Sequence, residues 1–232
     1  MSSPQPGDVS AGTLSPVRTR YVAVARVAVD LLAGEQLRKA WDGASVLEEF
    51  SVGDLAGHLA MSVLLPVDLL DGPDPASASP ITAEQYYAAI EGLDDIDSEV
   101  NVGVRRRSAQ VAAGGPDALA EQARAALERL TEHLAEVPAG RQVETRGRAL
   151  TVDEYLRTRL VELAVHLEDL ELSVGLGPGL APGDDVADVP DDVLDDVLRL
   201  LVGVARIRHG DAAVVRALTR RERDVANVLR VF

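Results

Sequence analysis

The chain has 232 residues, no cysteine, 47% hydrophobic but only 3% aromatic residues, and a formal net charge of −15. That length can bury one large core, built here from Leu, Val and Ala, a composition that suits close-packed helices better than sheets. The acidic surface repels phosphate backbones and anionic lipid, which argues against nucleic-acid and membrane-surface partners. Without thiols there is no disulfide scaffold, thiolate metal site or cysteine nucleophile.

The opening, MSSPQPGDVSAGTLSP, has neither the basic flank nor the apolar segment of a secretory signal. It reads as a disordered tail over residues 1–14. No apolar run reaches the roughly 18 residues that span a bilayer, so a cytoplasmic protein is expected, as a monomer or homodimer.

From Val17 to about Leu37 apolar side chains recur three and four apart (Val22, Ala25, Val29, Leu32), which predicts a first helix started at Ser15-Pro16. The connector AWDGASVLEEF follows, with Trp41 and Phe50 placed to pack under the next helix. Ser51 and Asp54 form a capping-box-like start to that helix, and Pro66 kinks or ends it. Residues 71–80 read as a loop, and shorter helical pieces are expected over 82–92 and 96–112. Gly114-Gly115-Pro116 breaks the chain before an amphipathic helix from Asp117 to Val137. The segment RQVETRGRALTV predicts a small hairpin turning at Gly147. Thr151 then caps a helix that ends near Gly175, with Glu154 three residues on. A Gly- and Pro-rich loop, a helix over about Asp191–Arg208 and a short tail segment complete the chain. Four substantial helices make an all-α bundle with one hairpin the most economical packing.

The helix after Thr151 raises a chemical question. On a helical wheel Leu156, Leu160, Leu163, Leu167 and Leu170 share one face, while Glu162 and His166 sit together on its flank with Tyr155, Arg159 and Asp169. The second helix puts Val52, Leu59 and Val63 inward and His58 on a flank. If the two flanks face each other, His58, Glu162 and His166 converge. Two imidazole nitrogens and one carboxylate oxygen are the donor set of many catalytic zinc sites, which keep a further position open. Asp169 or Tyr155 would then orient a ligand imidazole. The alternative is an ordinary i, i+4 surface pair beside a satisfied histidine, and spacing alone leaves both readings open.

Two segments carry a resemblance. WDGASVLEEFSVGDLAGHLA (41–60) and GRALTVDEYLRTRLVELAVHLEDL (147–170) resemble the metal-binding N-terminal segment and the arginine-glutamate-histidine-aspartate helix of mycothiol-dependent maleylpyruvate isomerases, relatives of the DinB-like helical bundles. The closing RHGDAAVVRALTRRER is similar to tail segments in these proteins. Phe50 stands where the family usually has a tryptophan. The resemblance implies a DinB-like four-helix bundle with a small β-hairpin and a short C-terminal helical extension. Residues 15–175 would be the metal-binding bundle, and 176–232 a linker loop and C-terminal helical segment packed on it. The resemblance further implies that the family's metal triad falls on His58, Glu162 and His166, with zinc or another divalent metal. Mycothiol would be the thiol cosubstrate and a small electrophile the substrate.

An isomerase, a thiol S-transferase, a non-catalytic metal-containing binding or regulatory module and a purely structural helical protein all remain compatible with the sequence. An anionic substrate would need arginine clamps. Arg159 is nearest in sequence to the ligand pair, and Arg105 opens the run Arg105-Arg106-Arg107. Arg216, Arg220, Arg221 and Arg223 could reach the pocket mouth, though pairing with Glu222 and Asp224 explains them more simply. His133 reads as exposed, and a helix C-terminus accounts for His209.

Overall fold

Ser15 accepts a hydrogen bond from the Arg18 amide and Pro16 takes the first helical position, which together start α1 (Pro16–Leu32). Both devices deal with backbone donors that a helix start leaves unpaired. The protein is described by a computed structural model over residues 14–75, 79–175, 189–219 and 228–230. Most of the expected tail, most of the Gly- and Pro-rich loop, and Arg220, Arg221, Glu222, Arg223 and Asp224 lie outside the described residues.

The expected first helix, running to about Leu37, is in fact two. The chain leaves the helix at Ala33 and restarts behind an extended Gly34 as α2 (Glu35–Ala40). Leu37 is fully buried, so the apolar rhythm continues across the break and conceals it in the sequence.

The remaining elements are α3 (Val52–Asp71), α4 (Ala83–Ala88), α5 (Glu99–Ala112), α6 (Pro116–Glu136), β1 (Gln142–Thr145), β2 (Arg148–Thr151), α7 (Val152–Ser173), α8 (Asp191–His209) and α9 (Asp211–Thr219). Ser51 and Asp54 complete the capping box of α3, and the helix runs on through a buried Pro66. Contrary to the sequence expectation, α3 is long and apolar enough to cross a membrane by length and composition, with a mean hydropathy of 1.3. Two-thirds of that stretch is buried inside the bundle, as in the core helix of a globular fold. The hairpin pairs Gln142 with Thr151 and Thr145 with Arg148. Arg146 and Gly147, at φ 50° and 70°, make the two-residue turn whose twist matches the strands. Thr151 accepts from the Glu154 amide, but the Glu154 carboxylate accepts from the Ala83 amide at 2.7 Å. Glu154 thus ties α4 to the start of α7 rather than closing a capping box.

The core is a four-helix arrangement in which α1 and α3 each pack against both α6 and α7. The five leucines expected inward on α7 are all at most 1% exposed, as are Val52, Leu59 and Val63 on α3. Among the described residues the protein is mostly helical with one two-stranded hairpin, as the resemblance implied.

Two supports bear on the site. Trp41 lies against Gly53 at the start of α3, where a Cβ would fall 2.8 Å from the indole Cε2; Trp41 and Phe50 are both partly buried against the core. Trp41→Ala is expected to lower stability by no more than the roughly 3–5 kcal/mol of a buried aromatic, read from urea denaturation; no loss would show the ring to be ornamental. At the other end, α8 packs on α4 and α7. Arg157 contacts Glu84 at 2.8 Å, Glu154 at 3.1 Å and Asp196 at 3.5 Å. Arg208 donates to the carbonyls of Tyr87 (2.8 Å) and Ile90 (3.1 Å) at the end of α4. Charged donors on helix-end carbonyls are worth more than neutral ones. Arg208→Met is therefore expected to destabilise by about 1–3 kcal/mol in the same denaturation assay, and an unchanged midpoint would contradict it.

Candidate metal centre

His58 projects from α3, Glu162 and His166 from successive turns of α7, and the packing of the two helices brings all three together. His58 Nε2 lies 3.0 Å from His166 Nε2 and 3.4 Å from Glu162 Oε2, and His166 Nε2 lies 3.6 Å from the same oxygen. Donors about 2.0–2.1 Å from a tetrahedral zinc are about 3.3–3.4 Å apart, so this triangle has the dimensions of one face of such a shell. The side chains are 13%, 16% and 18% exposed, which leaves the face reachable from outside. Among the described residues this is the one cluster of three potential ligands. The donor set and its spacing fit a divalent metal.

Each donor is oriented by a further group. Asp169 Oδ2 lies 2.9 Å from His166 Nδ1, within hydrogen-bond distance of the ring nitrogen that faces away from the cluster. Ser108 Oγ on α5 is 3.4 Å from His58 Nδ1 and donates its own proton to the Val104 carbonyl. The Tyr87 hydroxyl on α4 lies 2.7 Å from Glu162 Oε1 and 3.0 Å from the Thr158 carbonyl. Each contact leaves the inward atom of its donor available. Such partners tune affinity nearly as much as the ligands themselves.

Tyr155 does not take the orienting role that its wheel position suggested. It is 3% exposed, its ring lies under the Arg159 guanidinium at 5.2 Å, and no hydrogen bond joins it to either imidazole among the described residues. Eleven residues separate it from His166, about 16 Å along the helix axis; a shared flank on a wheel carries no axial information. Ser108 and Tyr87 were missed because their roles depend on α3–α5 and α4–α7 packing. Phe50 also reaches the site, its ring 6.0 Å from that of His58. His133 Nδ1 lies 4.0 Å from Asp71 and His209 is exposed near the end of α8; neither joins the cluster.

Two cavities flank the three donors. One, about 480 Å³, is lined by apolar side chains with Glu162, His166, Asp169 and Arg105. The other, about 420 Å³, is lined by His58, Glu162, Tyr86, Tyr87, Tyr155 and three arginines, Arg107, Arg146 and Arg159, together with apolar side chains that include Met61, Leu65, Ile90 and Val100. Arg159 donates to Thr158 Oγ1 at 3.1 Å. Arg105, by contrast, spends one guanidinium nitrogen on the Ile96 carbonyl at 2.7 Å, and Arg106 is exposed.

Burial and nearby charges set the protonation of the cluster. Burial works against charge on His166, but hydrogen bonds to Asp169 and Glu162 prevail and raise its pKa to about 9. Burial lowers that of His58, reinforced by the His166 charge and only partly opposed by Glu162. Glu162 is buried too, yet its two imidazole contacts and Arg159 hold its carboxyl well below the usual range. Without metal, His166 is therefore the cation and His58 the neutral ring at pH 7. The stability that His166 contributes is complete below its unfolded value near 6.5 and is lost as pH rises through about 9. Metal binding at pH 7 should displace about one proton, from His166, so affinity should rise with pH up to about 9 and then level off. Calorimetry of zinc binding in buffers of different ionisation enthalpy measures this release, and a value near zero would contradict the assignment.

The chain has relatives among known proteins. The family model described as the mycothiol maleylpyruvate isomerase N-terminal domain matches residues 22–171, from α1 almost to the end of α7. A crystal structure of the mycothiol-dependent maleylpyruvate isomerase is similar at 20% identity over 81% of this chain and 68% of that one, with a TM-score of 0.49. The structure of a histidine-to-alanine mutant of that enzyme is similar to the same degree. No curated protein matches. By the extent of its family match, this chain belongs to the mycothiol maleylpyruvate isomerase N-terminal domain family.

Proposed function

We propose that the protein holds a divalent metal, with zinc preferred, at His58, Glu162 and His166. It would use that metal to activate the thiol of a low-molecular-weight cosubstrate, mycothiol, against a small electrophile, as an isomerase or a thiol S-transferase. The observation that carries this reading is the triangle of three inward donors at 3.0–3.6 Å. Two imidazoles and a carboxylate suit zinc, and three protein ligands leave room for an exogenous one. Zinc bound there would lower the pKa of a coordinated thiol towards neutrality.

The chain's own side chains do the positioning. Asp169 and Ser108 fix the two imidazole rings, and Tyr87 occupies one Glu162 oxygen so that the other faces the metal. The chain contains no cysteine, so the sulfur comes from outside. A thiol must be reduced to serve, which favours the cytoplasm as the place of reaction. In an isomerase the sulfur adds to an activated carbon–carbon double bond, the resulting single bond rotates, and the sulfur leaves with no net change. In a transferase that adds to such a bond, the carbon–sulfur bond persists and the thiol proton ends on the neighbouring carbon.

The test is metal analysis of freshly purified protein combined with a turnover screen using mycothiol and a panel of electrophiles that includes maleylpyruvate. Stoichiometric metal with metal-dependent turnover is expected. Stoichiometric metal with neither thiol affinity nor turnover would replace this reading with a metal-containing binding or regulatory module. Turnover that survives complete metal removal would reject the mechanism.

A further inference from the structure

The two cavities beside the metal ligands differ in charge. The arginine-lined one sets Arg107, Arg146 and Arg159 against the single carboxylate of Glu162. In the other, Leu47, Phe50, Leu93, Ile96, Val161 and Val165 form an apolar wall. Its charged groups are the four carboxylates Glu48, Asp94, Glu162 and Asp169 against two cations, Arg105 and, without metal, His166, and Arg105 also serves the Ile96 carbonyl. Ile96 is 42% exposed. At about 480 Å³ the cavity lies in the range of small-molecule sites, which are mainly apolar with a few polar groups.

We infer that this acidic-rimmed cavity is the subsite for the electrophile, and that it selects an uncharged, largely apolar molecule over an anion. The inference rests on the proposed two-reactant function. A low-molecular-weight thiol is a polar molecule, so the cavity rich in arginine and tyrosine donors suits it. The acidic-rimmed cavity then remains for its partner, with Glu162 in the wall between the two. Carboxylates around this cavity repel an anion there, and its walls remove apolar surface from water.

The probes are 1-naphthol and 1-naphthoate, which share a ring system and differ in charge, titrated by NMR into zinc-free protein, where the carboxylate has no metal to coordinate. Naphthol is expected to bind about tenfold more tightly than naphthoate. Ile96→Asp should weaken naphthol several-fold, and Ile96→Ser should weaken it without adding charge. The double variant Glu48→Gln/Asp94→Asn should strengthen naphthoate several-fold and leave naphthol unchanged, which separates rim charge from simple partitioning. Arg107→Ala, in the other cavity, should leave naphthol binding unchanged. Circular dichroism establishes that each variant is folded. Equal or tighter naphthoate binding, indifference of naphthol to both Ile96 substitutions, indifference of naphthoate to the double variant, or a loss of naphthol binding in Arg107→Ala would each overturn the inference. Zinc stoichiometry is measured separately. A protein that prefers naphthol but holds no metal refutes the proposed function alone, whereas a protein that binds stoichiometric zinc but lacks this preference when titrated zinc-free refutes the subsite alone.

Discussion

His166→Ala is expected to abolish stoichiometric metal binding while leaving the helical content intact. The substitution removes one of three donors and at the same time strips Asp169 of the ring it orients. Two donors remain, His58 and Glu162, 3.4 Å apart, without the third corner that closes the face. Losing an orienting partner typically costs roughly 10–100-fold in metal affinity, and losing a ligand should exceed that. A graded series follows: Asp169→Asn and Tyr87→Phe inside that range, His166→Ala beyond it. Competition with a chromogenic chelator measures the affinities, and circular dichroism checks the fold. Packing is not the cause of the loss, because the core face of α7 is carried by leucines that the substitution does not touch. If His166→Ala bound zinc as tightly as the unaltered protein, the three-donor centre would be wrong.

The second large effect is expected at Gly57, one residue before His58. A Cβ there would lie 2.3 Å from the Ser108 carbonyl oxygen and 3.1 Å from Ala112 Cβ. The obstacle is backbone on a neighbouring helix, so no rotamer change relieves it, and α5 must move away from α3. Overpacking of this kind typically costs about 1–3 kcal/mol, against which alanine regains up to about 1 kcal/mol of helix propensity over glycine. Gly57→Ala should therefore destabilise and, by withdrawing Ser108 from His58 Nδ1, also weaken metal binding. Gly103 is the control: it lies within α5, and a Cβ there meets nothing within 4 Å. Gly103→Ala should stabilise by up to about 1 kcal/mol with metal affinity unchanged. Urea denaturation and chelator competition on both variants decide the matter. If the two alanines behaved alike, close approach of α5 would not be what shapes the site.

Local rules were enough to identify the caps at Ser15, Ser51 and Thr151, the turn at Gly147 and the inward leucines of α7. Caps, turns and amphipathic faces are written in residues a few positions apart, and the corresponding hydrogen bonds and burial are present. Helical periodicity also reached part of the site, because it puts Glu162, His166 and Asp169 on one flank of a single rigid helix. The wheels also placed His58, more than a hundred residues away, on a flank that could face them, and the family resemblance selected it as the matching donor.

Periodicity was silent wherever the decision lay along an axis or between helices. It grouped Tyr155 with His166 although a wheel discards the roughly 16 Å of rise between them, and it ran α1 through the break at Gly34 because Leu37 keeps the same rhythm. Ser108 and Tyr87 have no local signature as orienting groups: one depends on Gly57 admitting α5 against α3, the other on α4 being held between α7 and Arg208 of α8. The opposite charges of the two cavities likewise come from side chains on loops, hairpin and several helices that meet only after packing. Sequence by itself determined the helices and the donors they carry, since those follow from short-range periodicity and chemistry. The orientation of each donor, and the character of the space in front of it, were settled only by which helix backbones could approach one another.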